Sequence, residues 1–181
     1  MIYRPLFKKA WKRIFQSHAG IPCRKKKQEM TKKLTSFDEI LDFAMNEEQK
    51  AVEFYTELAA QAHNDEMREV FEAFAREEVG HKMKLREVKE RGINSMPPEN
   101  VADLQIADYV VNVEAAPGMS YREALIVAMN KEKAAFRLYT SLAGRATDPV
   151  LKELFAALAQ EESKHKLRFE VEYDEYVLRE N

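Results

Sequence analysis

Four glutamates and two histidines stand in this sequence where the helices of a bundle would bury apolar side chains, in two copies 84 residues apart. Glu48 lies in the run Leu41, Ala44, Glu48, Ala51, Tyr55, Leu58 and Ala62, whose alternating three- and four-residue steps trace one helical face. Adding 84 to each number gives Leu125, Ala128, Glu132, Ala135, Tyr139, Leu142 and Ala146. A second run, Met67, Phe71, Phe74, Glu78, His81, Leu85 and Val88, returns as Leu151, Phe155, Leu158, Glu162, His165, Phe169 and Glu172. Glu48, Glu78, His81, Glu132, Glu162 and His165 therefore all point inward. An unpaired buried carboxylate costs several kcal/mol, so four of them require cations. Two divalent metal ions balance four carboxylates, and neutral imidazoles leave that balance unchanged.

Helices must carry these runs, and the sequence punctuates them. Ser36 with Glu39 and Ser120 with Glu123 read as two capping boxes, again 84 apart. Asn64 and Asp148 occupy matching N-cap positions, and Pro149 follows at a favoured first position. The spacing predicts helices near 36–62, 65–91, 120–146 and 149–178. Short links make the first two, and the last two, antiparallel hairpins. Residues 92–119 form one long connection, in which DLQIADYVV predicts a short helix across the bundle. Two hairpins joined by one long crossover make an all-α, ferritin-like four-helix bundle, built by duplication and related by an approximate two-fold axis.

A single Glu-Glu-x-x-His on a Glu-rich helix is ordinarily a solvated face. EEVGH (77–81) and EESKH (161–165) are different, because both copies fall in the apolar phase and each is matched by an inward glutamate. Ala44, Ala51, Ala128 and Ala135 leave room at that level for metals and a bridging small molecule. Glu47 has Lys131 at the equivalent position and is expected to be solvated. Glu77 and Glu161 do repeat, as acceptors supporting the histidines or as surface charges. Tyr55 and Tyr139 are core tyrosines or hydrogen-bond partners of the buried carboxylates. His18 and His63 have no repeat partner and receive no role.

The totals narrow the function classes. The 181 residues, 45% hydrophobic and 33% charged with 5 Gly and 6 Pro, suit long amphipathic helices. Cys23 is the only cysteine, which excludes an internal disulfide or a cysteine-based metal site and points to a reducing, cytoplasmic compartment. Residues 1–29 carry nine Lys or Arg against Glu29, a charge of +8, so the remainder of a chain with net charge −2 sums to −10. That argues against nucleic acid as a partner of the bundle. Residues 1–35 read as a basic N-terminal extension and residues 36–181 as the bundle domain. Tyr3, Leu6, Phe7, Ala10, Trp11, Ile14 and Phe15 share one face of an amphipathic helix before the RKKK tract at 24–27. Such a segment suits weak contact with an anionic membrane surface, a partner groove, a transit peptide, a helix capping the bundle, or an extension upstream of Met30.

With EQKAVEFY (48–55), EKAAFRLY (132–139), EEVGH and EESKH, residues 36–178 resemble the rubrerythrin branch of the ferritin-like superfamily. Rubrerythrins are non-haem di-iron proteins that reduce hydrogen peroxide to water. The resemblance implies two iron ions held by Glu48, Glu78, His81, Glu132, Glu162 and His165, with catalytic roles for Glu48, Glu132, Tyr55 and Tyr139. It also implies a homodimer. Typical members end in a rubredoxin domain that relays electrons through a four-cysteine iron. This sequence ends soon after its fourth helix, so a separate rubredoxin-type carrier is expected. Members also carry a further glutamate on the third helix, where this chain offers Ala134 or Ala135, so their redox-linked ligand exchange does not carry over. Peroxide reduction with an external electron donor is the leading expectation. Ferroxidase or iron-handling chemistry with oxygen as oxidant is the alternative. A third reading is manganese or zinc held without turnover.

Overall fold

A computed structural model describes residues 34–92, 96, 101, 104, 106–116 and 118–179. The basic 1–29 segment lies outside the described residues. Among the described residues four long α-helices stand out: α1 Phe37–Gln61, α2 Asp65–Glu90, α3 Tyr121–Arg145 and α4 Pro149–Arg179. Among the described residues there is no strand, and no helix is long and apolar enough to cross a membrane. The expected short helix of the crossover is a single 3-10 turn, Ile106–Tyr109, lying against α3.

The helix starts follow the side chains that satisfy their free backbone N–H groups. Asn64 accepts from Met67 N at 2.8 Å and Asp148 from Leu151 N at 3.0 Å. At α3, Ser120 and Glu123 form the full reciprocal box. At α1 the box is half made. Ser36 accepts from Glu39 N, but the Glu39 carboxylate turns to Thr35, taking its N–H at 2.7 Å and its hydroxyl at 2.8 Å. Thr35 offers two donors to that carboxylate where the Ser36 backbone offers one. Helix α2 ends at Gly92, whose φ of 63° places it in the left-handed region that glycine adopts without cost.

Packing places two apolar layers on either side of a polar level. One layer joins the start of α1, the end of α2, the end of α3 and the start of α4, through Leu41, Leu85, Leu142 and Phe155. The other joins the opposite ends, through Tyr55, Phe71, Phe74, Leu125 and Phe169. So α2 stops at one end of the bundle and α3 starts at the other, which is why the crossover must be long. The last position of the fourth run, Glu172, faces Tyr121, whose hydroxyl donates to it at 2.8 Å. Between the layers, Glu48, Glu78, His81, Glu132, Glu162 and His165 are the buried charged or polar residues.

Candidate metal centre

Each helix delivers its ligands from the middle of its buried face, where an apolar residue would otherwise complete the core. Each of the six is at most 4% exposed, a degree of burial that charged groups tolerate only with compensation. They resolve into two overlapping sets. Glu48, Glu78, His81 and Glu162 converge, as do Glu78, Glu132, Glu162 and His165, with the ligand atoms of each set within 4.8 Å of one another. Glu78 and Glu162 belong to both sets. Glu48 with His81, and Glu132 with His165, belong to one each. Two ions held by these sets would share Glu78 and Glu162.

The histidines present Nδ1 to the carboxylates. His81 Nδ1 lies 2.8 Å from Glu162, 3.1 Å from Glu78 and 3.9 Å from Glu48. His165 Nδ1 lies 3.3 Å from Glu78, 3.4 Å from Glu132 and 3.7 Å from Glu162. The close approach of His81 to Glu162 lacks hydrogen-bond alignment, so both Glu162 oxygens are left without a donor. Glu78 Oε1, Glu132 Oε2 and His165 Nδ1 are likewise buried without one. Orphaned lone pairs of this kind, aimed at a common centre, fit metal ions.

The Nε2 sides settle the position of Glu77 and Glu161. Glu161 lies 2.9 Å from His81 Nε2 in an ion-pair contact, and Lys84 donates to the same carboxylate at 2.7 Å. Glu77 sits 2.7 Å from His165 Nε2 and accepts from Arg168 at 3.0 Å. Each histidine is thus held by a glutamate from the other repeat, itself gripped by a cation on the histidine's own helix. Such carboxylates fix the tautomer and leave Nδ1 free to ligate. Lys84 and Arg168 went unnoticed in the sequence, although they too are equivalent positions of the repeat, both basic. The two imidazole rings stack with centroids 5.4 Å apart.

Tyr55 and Tyr139 are both fully buried and both hydrogen-bonded, but across the repeat. Tyr55 donates to Glu132 and Tyr139 to Glu48. Burial, followed by the neighbouring carboxylates, pushes both phenols well above their ordinary range and keeps them protonated donors.

Electrostatics of the metal-free cage divide the glutamates. Burial, then repulsion from Glu78 and Glu162, pushes Glu48 and Glu132 well above the usual carboxylate range. Burial also opposes ionisation of Glu78, but the close imidazoles of His165 and His81 outweigh it and hold Glu78 low. Burial alone would lower His81, yet Glu162 and Glu78 raise it to about 10. His165 rises further, against burial, under Glu132, Glu162 and Glu78. Folding thus favours the protonated forms of Glu48, Glu132, His81 and His165 and the ionised form of Glu78.

A small pocket of about 40 Å³ leads from the four glutamates outward between α1 and α3. Ala51, Ala134 and Ala135 open it, and Tyr109 and Val111 of the crossover border it. Glu47 departs from expectation here. Its side chain is 19% exposed, lines this pocket beside Glu48 and pairs with Lys50 at 2.7 Å, because the crossover covers the face that the sequence left open to water. Lys131 lines the same pocket, its ammonium 4.9 Å from the centre of the Phe54 ring. Burial lowers that ammonium below the usual lysine range, and Glu47 opposes the shift. His63 is exposed.

The family model described as Rubrerythrin matches residues 39–173. Among solved structures, a hypothetical protein from Pyrococcus furiosus is 24% identical, covering 76% of this chain and 87% of its own, with a TM-score of 0.59. A Thermotoga maritima protein described as ferritin-like and diiron-carboxylate is 20% identical over 78% of this chain and 96% of its own, with a TM-score of 0.66. An uncharacterized conserved protein from Magnetospirillum magnetotacticum is 26% identical over 77% of this chain and 95% of its own, with a TM-score of 0.58. Comparison with curated proteins gives no match. The fold is the ferritin-like four-helix bundle.

Proposed function

The chain belongs to the rubrerythrin family, and from that premise we propose that it is a non-haem di-iron oxidoreductase that reduces hydrogen peroxide to water. The observation carrying this reading is the pair of overlapping ligand sets with Glu78 and Glu162 common to both. Carboxylates and imidazoles without thiolate suit iron, manganese and zinc alike, and the family favours iron. When bound, the iron pair supplies Lewis acidity and one electron from each ion.

The chain's own residues do the rest. Glu78 and Glu162 would reach both ions and keep them together. Glu48 with His81, and Glu132 with His165, would hold one ion each. Tyr139 and Tyr55 occupy one oxygen of Glu48 and Glu132, which would leave the other oxygen for the metal. The stacked imidazoles, backed by Glu161 and Glu77, close the α2–α4 side. Breaking the O–O bond of one peroxide to give two waters takes two electrons and two protons, the protons drawn from solvent. The electrons return one at a time from a carrier of the rubredoxin type.

Stopped-flow mixing of the diferrous protein with each oxidant tests this. Hydrogen peroxide should oxidise it much faster than oxygen, and turnover should require an added electron carrier with its reductase. If oxygen is the faster oxidant and added ferrous iron accumulates as mineral, the iron-handling reading replaces it.

A further inference from the structure

The internal repeat reverses the sign of a charge beside the metal centre. One residue before each of the equivalent glutamates Glu48 and Glu132, the first copy has Glu47 and the second has Lys131. Both line the pocket that runs to Glu48, Glu78, Glu132 and Glu162. The depression on the opposite side, bordered by Lys84, Lys164 and Arg168, touches none of those four glutamates. Its floor is the histidine pair, whose outer nitrogens are already paired with Glu161 and Glu77.

We propose that the pocket between α1 and α3 is the docking site for a small anion at the metal pair, with Lys131 the positioning residue that holds it. This rests on the reading of the cage as a di-iron centre and is independent of which oxidant is used. Size sets the ligand class. A pocket of about 40 Å³, against the roughly 10–15 Å³ that one water needs, admits a ligand of two or three heavy atoms. Charge sets the rest. An anion entering this pocket approaches four carboxylates, and a fixed ammonium at the wall offsets that repulsion. Glu47 shares that wall, but its charge is offset by Lys50 at 2.7 Å. The Phe54 ring, 4.9 Å from the ammonium, supports Lys131 without neutralising it. Ala135 stands where a longer side chain would fill the space.

Azide is the probe. The iron-loaded, oxidised protein is titrated with azide in the visible, beside Lys131→Met, Lys131→Arg and Ala135→Leu, with iron per chain measured for each. Lys131→Met should weaken azide binding by about tenfold or more, and Lys131→Arg should restore it to within about threefold. Ala135→Leu should abolish it while iron content stays at wild-type level. Nitric oxide, a neutral probe of the reduced protein, should bind Lys131→Met as it binds wild type and should not bind Ala135→Leu. Unchanged azide affinity in Lys131→Met, or wild-type binding of both probes by Ala135→Leu, overturns the proposal. Failure to load iron overturns it together with the metal reading. An azide series as expected in a protein indifferent to peroxide leaves the pocket standing and removes only the activity.

Discussion

Tyr55 and Glu132, 77 residues apart in sequence, are joined by a buried hydrogen bond that runs from one repeat to the other. The duplicate bond runs back from Tyr139 to Glu48. The periodicity placed each tyrosine two turns from the glutamate of its own helix. Packing of α1 against α3 hands each hydroxyl to the other helix instead. The two bonds therefore fasten the hairpins together at the level of the metal centre.

Tyr55→Phe and Tyr139→Phe should each destabilise the metal-free protein by about 1–3 kcal/mol, the cost of leaving a buried carboxylate oxygen without its donor. The symmetry of the two sites predicts similar losses from the two single variants. Chemical denaturation, read by far-UV circular dichroism, checks this; a variant as stable as wild type would show that the bond contributes nothing.

The two ligand sets predict an asymmetry in metal content. Glu78 and Glu162 belong to both sets, whereas His81 and His165 belong to one each. Reconstitution with ferrous iron should give two irons per chain in the wild type and about one in His81→Ala or His165→Ala. Glu78→Ala and Glu162→Ala should weaken both positions and retain less. Equal losses in all four variants would show that the carboxylates do not bridge.

Much of this was legible because duplication prints the same physics twice. A glutamate in one apolar run is ambiguous, but Glu48 and Glu132, with Glu78 and Glu162, repeat at a constant offset and in phase with the core. The structure brings these four and both histidines together. Other details depended on contacts that periodicity does not encode. Glu77 and Glu161 lie off the seam, and only the crossing of α2 and α4 shows that each backs the other's histidine. Glu47 reads as solvated because nothing in the helix pattern reveals that Tyr109 and Val111 fold over that face. The Ser36–Glu39 box was disturbed by its neighbour Thr35, a competitor of the same chemistry one residue away.

The proton load of the metal-free cage predicts how stability follows pH. His81 rises from 6.5 to about 10 on folding. Its contribution is therefore complete below pH 6.5 and is lost as pH rises through about 10. His165, Glu48 and Glu132 are raised and act in the same direction. Glu78 is lowered, so its contribution is lost in acid instead. The metal-free protein should thus melt at progressively lower temperature as pH rises from 6 towards 10. Metal ions replace those protons, so the gap between loaded and metal-free melting temperatures should widen over the same range. Calorimetric titration in buffers of different ionisation enthalpy should register proton release on loading; a gap that is flat with pH would contradict it.

Glu77 and Glu161 offer the sharpest test of how the histidines are held, because each acts on the ligand of the opposite repeat. Glu161→Gln leaves the shape of the contact with His81 and the reach of Lys84 but removes the carboxylate charge. Glu77→Gln does the same for His165 and Arg168. Loss of an acceptor behind a metal-binding imidazole typically lowers metal affinity by about 10–100-fold. The loss should fall on one ion of the pair in each variant, since His81 and His165 belong to different sets. Competition with a chelator should therefore turn a two-ion release into two separated steps, the weaker step at the His81 position in Glu161→Gln and at the His165 position in Glu77→Gln. Adding Glu161→Gln to His81→Ala should produce no further loss at that position, because the glutamate acts only through the ring it holds. Release curves indistinguishable from wild type would reduce both glutamates to surface charges that happen to lie nearby.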